Sequence, residues 1–190
     1  LGLALWLSRR MDKATVHKVH ILVAIGVTVM EALKIFLRVY KGQGPDDWMP
    51  LYFCSLFLFA VWLALAKPRP LQTTGYAFMT MGGIAASVFF IFYPTTSLNM
   101  YPIWHPASIH SFVYHWIMLY LGLLVLLKGL YVPRPHHALH YGVFVLAACF
   151  AVGILGYVYH HGLRVQLHGD PTLNQEYNEP YIDPGADYAL

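Results

Sequence analysis

Charge is what this sequence has least of. Asp, Glu, Lys and Arg together make up 11% of its 190 residues, less than half of the roughly 25% found in an ordinary soluble domain. That shortage excludes a chain surrounded by water on all sides. Cysteine is scarce too. Cys54 and Cys149 are the only two, so no disulfide framework supplies the stability. The net charge of +3 is small and unevenly placed, which speaks of orientation in a membrane and not of nucleic acid. No cleavable signal peptide is visible. The opening "LGLALWLSRR" reads instead as the tail end of a further membrane helix, with residues expected upstream.

Apolar residues fill the space that charge leaves. Crossing a bilayer takes roughly 20 of them in a helix, and five stretches qualify. They run from Lys18 to Tyr40, Met49 to Ala66, Leu71 to Tyr93, Ala107 to Val132 and Leu139 to Tyr159. The links between them ("KGQGPDD", "KPRP", "YPTTSLNMYPIWHP", "PRPHH") are short and hold turn residues. Neighbouring spans are therefore expected to pack antiparallel. The predicted fold is all-α: a polytopic transmembrane helix bundle over residues 1–161, with five full spans and a partial N-terminal one. From Gly162 the composition turns polar, proline-bearing and aperiodic. Residues 162–190 read as an extended extramembrane tail, whose Tyr177, Tyr181 and Tyr188 could dock on a surface.

The cations fall on two sides. Arg9, Arg10, Lys13, Lys18, Lys67, Arg69, Lys128 and Arg134 lie at one set of span ends, and Arg38, Lys41 and Arg164 at the other. Cytoplasmic loops carry the excess of Lys and Arg. The first set is thus predicted cytoplasmic, and the tail and the "YPTTSLNMYPIWHP" loop on the outer side.

Polar residues within the spans share faces. In the first span His17, His20, Thr28, Glu31, Lys34 and Arg38 lie near one meridian. Glu31 and Lys34 are three apart, close enough to pair. Small-residue pairs Gly82/Ala86 and Gly83/Ser87 permit close helix approach. Ser108, His115, Gly122 and Gly129 recur every seven residues, so His115 is expected to face a neighbouring helix. His110 lies roughly 140° away and cannot share that seam.

Chemistry is concentrated in the outer half of these spans. Cys54 lies roughly 8 Å below its helix mouth and His115 roughly 12 Å below its own, at 1.5 Å per residue. Glu31 and Lys34 lie at similar depth, and Tyr52 and Ser55 flank the thiol as polar lining. A thiol deprotonated by an imidazole is a nucleophile, and at that depth its natural electrophile is a lipid ester. Simpler readings stand beside this one. A cysteine in a membrane helix often serves as a small apolar residue, as Cys149 does among Ala147, Ala148 and Gly153. His115 on a small-residue seam can be an interhelical hydrogen-bond donor, and Glu31–Lys34 a structural pair. Membrane histidines also ligate haem. His20 with His137, or His115 with His160, would be the axial pairs, but no spacing demands it. No cofactor and no metal is predicted.

Three stretches resemble the YwaF-like integral membrane family of transmembrane protein 164 relatives: "MEALKIFLRVYKGQG", "WMPLYFCSLFLF" and "SFVYHWIML". Their order and spacing agree from about Lys18 to Tyr159. The resemblance implies a compact bundle of six or seven helices and a phospholipid acyltransferase that uses a cysteine and a histidine. Those roles fall here on Cys54 and His115, and Glu31 matches an acidic residue in the preceding helix. Tyr52 stands where the family has histidine, and the family's closing Asn-Tyr pair is absent. The functional expectation is a Cys/His-dependent phospholipid acyltransferase in the outer leaflet of a bacterial inner membrane, with membrane lipids as partners. The alternative is a non-catalytic membrane subunit joined to other subunits through its polar tail; a haem or pigment-binding anchor ranks below both.

Overall fold

The computed structural model of the chain describes the backbone of residues 2–40, 53–99 and 101–169, and the side chains of these except Leu3, Leu7, Thr96 and 159–169. Every regular element among the described residues is helical. The order is α1 (Gly2–Ser8), α2 (Lys13–Tyr40), α3 (Phe53–Leu65), α4 (Arg69–Phe92), the short α5 (Thr95–Leu98), α6 (Pro106–Leu127) and α7 (His137–Gly169). The α3 helix opens with a 3-10 turn over Phe53–Ser55, and α4 holds a π-helical segment over Phe78–Gly83.

Four of these helices contain apolar segments long enough to cross a membrane: Lys13–Tyr40, Arg69–Phe92, Pro106–Leu127 and His137–Val158. The described part of the expected Met49–Ala66 span is the shorter apolar helix α3; residues 49–52 lie outside the described residues. The count of five full spans thus becomes four long helices and one shorter one. Two ends also move. The α6 helix stops at Leu127 rather than Val132, and α7 runs to Gly169, so the first residues of the predicted extended tail are helical. Backbone contacts divide the chain into two units, Leu1–Ala148 and Cys149–Leu190. The division falls within α7, after Ala148.

Local chemistry sets the helix ends. Asp12 caps α2, its Oδ1 accepting from the Thr15 N–H at 3.0 Å. The Thr15 hydroxyl first, and then this N–H, hold the exposed Asp12 carboxyl below the usual carboxylate range. The α3 helix ends before Pro68, and Pro70 stands in the first turn of α4, where a missing N–H costs nothing. His105 caps α6, its Nδ1 accepting from the Ala107 N–H at 3.2 Å. Gly129 ends that helix at φ 60°. Its N–H donates to the Leu126 carbonyl at 3.0 Å, and the Leu130 N–H donates to the Val125 carbonyl at 3.1 Å. This is the two-bond Schellman cap, which a glycine enters without strain. Gly129 therefore stops α6 and does not belong to the predicted seam.

Packing follows the small residues. A Cβ on Gly75 would lie 2.3 Å from the Ala64 nitrogen and 2.5 Å from the Ala60 oxygen, so α3 and α4 touch backbone to backbone. On Gly122 it would lie 2.7 Å from the Met79 carbonyl oxygen, and on Gly82 2.8 Å from the Tyr141 ring. Around these contacts Phe57, Val61, Phe78, Met79, Met118, Leu121 and Leu124 form the buried core. Lys128 Nζ donates to the Arg9 carbonyl at 3.0 Å and the Met11 carbonyl at 2.6 Å. This bond brings part of the predicted cytoplasmic cation set to one end of the unit.

The α2 helix shows which solvent the unit is built for. Its inner stripe is Val16, His20, Ala24, Val27 and Glu31, with Glu31 only 2% exposed, while Leu22 is 70% and Phe36 63% exposed. Large apolar groups point outward and an ionisable one inward. In water that order is costly on both counts. In lipid it removes the charge from hydrocarbon and gives the alkyl groups a matching environment. The pattern is that of an integral membrane protein in contact with lipid.

Candidate functional site

The inner face of α2 supplies the first half of the site. Glu31 and Lys34 stand one turn apart, and Lys34 Nζ donates to Glu31 Oε1 as an ion pair. Pairing is what allows two charges to persist away from water. Ser55 Oγ, from the first turn of α3, donates to the same Oε1 at 3.3 Å. Its neighbour Cys54 is a free, half-buried thiol within electrostatic reach of both Lys34 and Glu31. Four of the residues singled out in the sequence thus meet where α2 and α3 pack. The remaining lining residue, Tyr52, lies outside the described residues.

The α6 helix supplies the second half. Tyr114 is buried to 3% exposure. Its ring meets Phe57 of α3 edge-on at 6.1 Å. One turn earlier, His110 is within reach of Glu31, Lys34 and Arg38. Tyr114 Oη faces the Leu58 backbone and His110 the Met30 backbone, although neither Tyr114 Oη nor His110 Nε2 closes a hydrogen bond of good geometry.

His115 follows Tyr114 but is held by other contacts. Its Nδ1 bonds the Ser111 carbonyl oxygen at 2.7 Å. A carbonyl only accepts, so Nδ1 carries the proton and Nε2 is left with the lone pair. The ring lies flat on Phe90 of α4, with centroids 3.8 Å apart and planes 7° from parallel. Gly122, two turns along, abuts Met79 and Ile84 of the same helix. The predicted seam of Ser108, His115 and Gly122 accordingly serves α4 over its last two members, while Ser108 bonds the Tyr101 carbonyl at 3.3 Å.

The other histidines have separate surroundings. His20 Nε2 donates to the Val61 carbonyl at 3.1 Å. His137 lies beside Tyr131, His136 and His140, and the His160 side chain is outside the described residues. No group of three or more His, Cys, Asp or Glu side chains placed to hold a metal occurs among the described residues.

Sequence reasoning missed Tyr114 and placed His110 only by excluding it from the seam. A signal for both existed. Four residues apart on a helix, they point within about 40° of each other, so once His110 is turned from the seam Tyr114 follows it toward α2.

Comparison with protein-family models, with curated proteins and with solved structures finds no match to this chain.

Proposed function

We propose that this chain is a Cys54-dependent acyltransferase of membrane phospholipids and a distant relative of the YwaF-like family. The observation that carries the reading is the setting of Cys54. It is a half-buried thiol in the opening turn of an apolar helix, beside a buried Lys34–Glu31 pair, in a chain with lipid-facing helices. The Cys54 thiolate attacks an ester carbonyl carbon and a C–S bond forms. The tetrahedral intermediate expels the lyso-lipid oxygen, which leaves as a hydroxyl with the proton first taken from the thiol. The acceptor's hydroxyl then attacks the thioester and releases the thiolate. By the family resemblance His115 moves these protons, and the protonated Nδ1 keeps Nε2 as its basic nitrogen. The reaction runs in the outer leaflet, with the basic ends of the spans in the cytoplasm.

Incubation with phospholipid bearing a labelled acyl chain should leave label on the protein, removable by neutral hydroxylamine. Cys54→Ala should abolish it, and His115→Ala should slow it by about 100-fold or more. Slowing by His110→Ala instead would move the base one turn along α6. Absence of label from every phospholipid mixture, or equal label on Cys54→Ala, overturns the function. Orientation is tested separately: a single cysteine at position 69 should resist an impermeant thiol reagent in intact cells.

A further inference from the structure

The basic end of the first unit holds a cluster that the acyl-transfer reading does not use. His137 is its centre. The His137 ring lies 5.1 Å from that of Tyr131, 4.3 Å from that of His136 and 6.2 Å from that of His140, centroid to centroid. His140 Nδ1 stands 3.4 Å from Thr74 Oγ1 of α4. That hydroxyl donates its own proton to the Pro70 carbonyl at 2.9 Å, so Nδ1 is the donor of the pair and carries a proton. The Arg134 carbonyl accepts from the His137 N–H at 2.9 Å, which fixes the arginine's backbone beside the imidazoles. Two polar atoms in the cluster, Tyr131 Oη and His137 Nδ1, are buried without a hydrogen-bond partner, and Tyr131 is only 7% exposed. Polar atoms shielded from water are normally bonded, so both keep capacity for a ligand.

Charge decides the class of that ligand. Asp12 and Glu31 are the only acidic residues among the described ones. Asp12 bonds Thr15, and Glu31 bonds Lys34 and Ser55. No described carboxylate is left for Arg134 and for three imidazoles that can each become cationic. A metal does not fit, because the three imidazoles are not placed to share one ion, which would bring each nitrogen within about 2.1 Å of one point. A tetrahedral oxyanion spreads its oxygens around a centre and accepts each bond over about 2.8 Å, so it joins donors that a metal cannot. We propose that Tyr131, Arg134, His136, His137 and His140 form a binding site for a phosphate group. The imidazole N–H groups, the Arg134 guanidinium and the Tyr131 hydroxyl donate to its oxygens. Free phosphate and the headgroup of an anionic phospholipid both carry that group. Access is open to either, since His136 is exposed and His137 and His140 are half-buried.

The test titrates the full chain in detergent with inorganic phosphate and, separately, with dioctanoylphosphatidic acid, at constant ionic strength set by sodium chloride. The readout is the thermal midpoint, which a ligand of the native state raises. At least one of the two should raise it saturably. Inorganic phosphate acting alone identifies a soluble ligand, and phosphatidic acid acting at lower concentration identifies a lipid headgroup. His137→Gln with His140→Gln should weaken the apparent affinity by about tenfold or more, the scale for losing hydrogen bonds to a charged group. Tyr131→Phe removes a single unpartnered hydroxyl and should weaken it by about tenfold. Arg134→Gln, at an exposed position, should weaken it as well, while the exposed Lys13→Gln at the start of α2 should leave it unchanged. A midpoint that neither phosphate compound raises above the chloride control overturns the proposal. So does parental affinity in both Tyr131→Phe and Arg134→Gln, or an equal loss in Lys13→Gln, which would mean diffuse positive charge. Stabilisation by Zn²⁺ and by neither phosphate compound would make the cluster a cation site, with the same consequence.

Discussion

Helices α6 and α7 are matched in apolar length and opposite in use. Each offers 22 residues apolar enough to span a membrane, and α7 is the more hydropathic of the two. Yet α6 buries Met118, Leu121, Leu124 and Val125, whereas no residue from 137 to 148, the part of α7 within the first unit, is buried. The less apolar helix is the core helix. In water that ranking would reverse, because apolar area drives burial. In lipid an alkyl side chain gains little by exchanging hydrocarbon for protein. What draws a helix inward is close backbone approach and the need to shelter polar groups. The α6 helix has both, in Gly122 and in Ser108, Tyr114 and His115, all buried. Over Leu139, Val143 and Leu146, α7 presents large exposed apolar groups.

The largest test of that difference lies on the polar side. Glu31→Ala leaves Lys34 without its carboxylate on the face packed against α3. A loss of about 3–5 kcal/mol is expected, the scale for orphaning one partner of a buried pair. Thermal unfolding in detergent measures it, and the double change with Lys34→Met should recover most of the loss. A single variant as stable as the parent would mean that polar shelter does not hold the inner helices.

The close-approach side is tested next. Gly122→Leu must displace the Met79 carbonyl or Ile84 and should cost about 1–3 kcal/mol or more, as overpacking does. Gly142→Leu on α7, with open space around its Cβ position, should leave the midpoint near the parent value. Equal losses at both sites would erase the distinction between the two helices.

A smaller effect of opposite sign is expected from Ala at unobstructed helix positions. Gly26→Ala and Gly142→Ala meet nothing within 4 Å and should each stabilise by about 0.5–1 kcal/mol, the helical preference of Ala over Gly. Loss of stability in either would reveal a contact at that face.

The smallest effect concerns the α2 cap. The Asp12 carboxyl is held low by Thr15, so its folded-state pKa lies below its unfolded one. Its contribution is therefore complete above about pH 4 and is lost as pH falls through the lower folded value. Hydrogen exchange at the Thr15 N–H should quicken over that window, and Asp12→Ala should remove the pH dependence.

Much of this was legible from residue order. A long apolar run flanked by prolines and cations leaves few structures open in lipid, and the helices lie where those runs do. Glu31, Lys34, Cys54 and Ser55 were nameable because polar groups are conspicuous in an apolar run. Gly75 was not, although it makes the tightest backbone approach of any described glycine. It sits in "RPLQTTGYA", where polar neighbours hide a packing role. Tyr114 was passed over because a tyrosine in an aromatic-rich helix looks like ordinary core.

By itself, then, the sequence determined an all-helical chain for lipid, the helix ends that proline and glycine dictate, and which ionisable groups had to turn inward. Those outcomes follow from local rules: hydrogen bonds that hydrocarbon cannot satisfy, and charges that it cannot solvate. Tertiary structure alone decided that α6 lies inside the first unit. It also decided that His115 stacks on Phe90 while Tyr114 sets its ring against Phe57. Hydropathy is blind to both, because lipid and protein interior are equally apolar. The choice between them rests on which backbones can touch and which polar groups meet across helices distant in sequence.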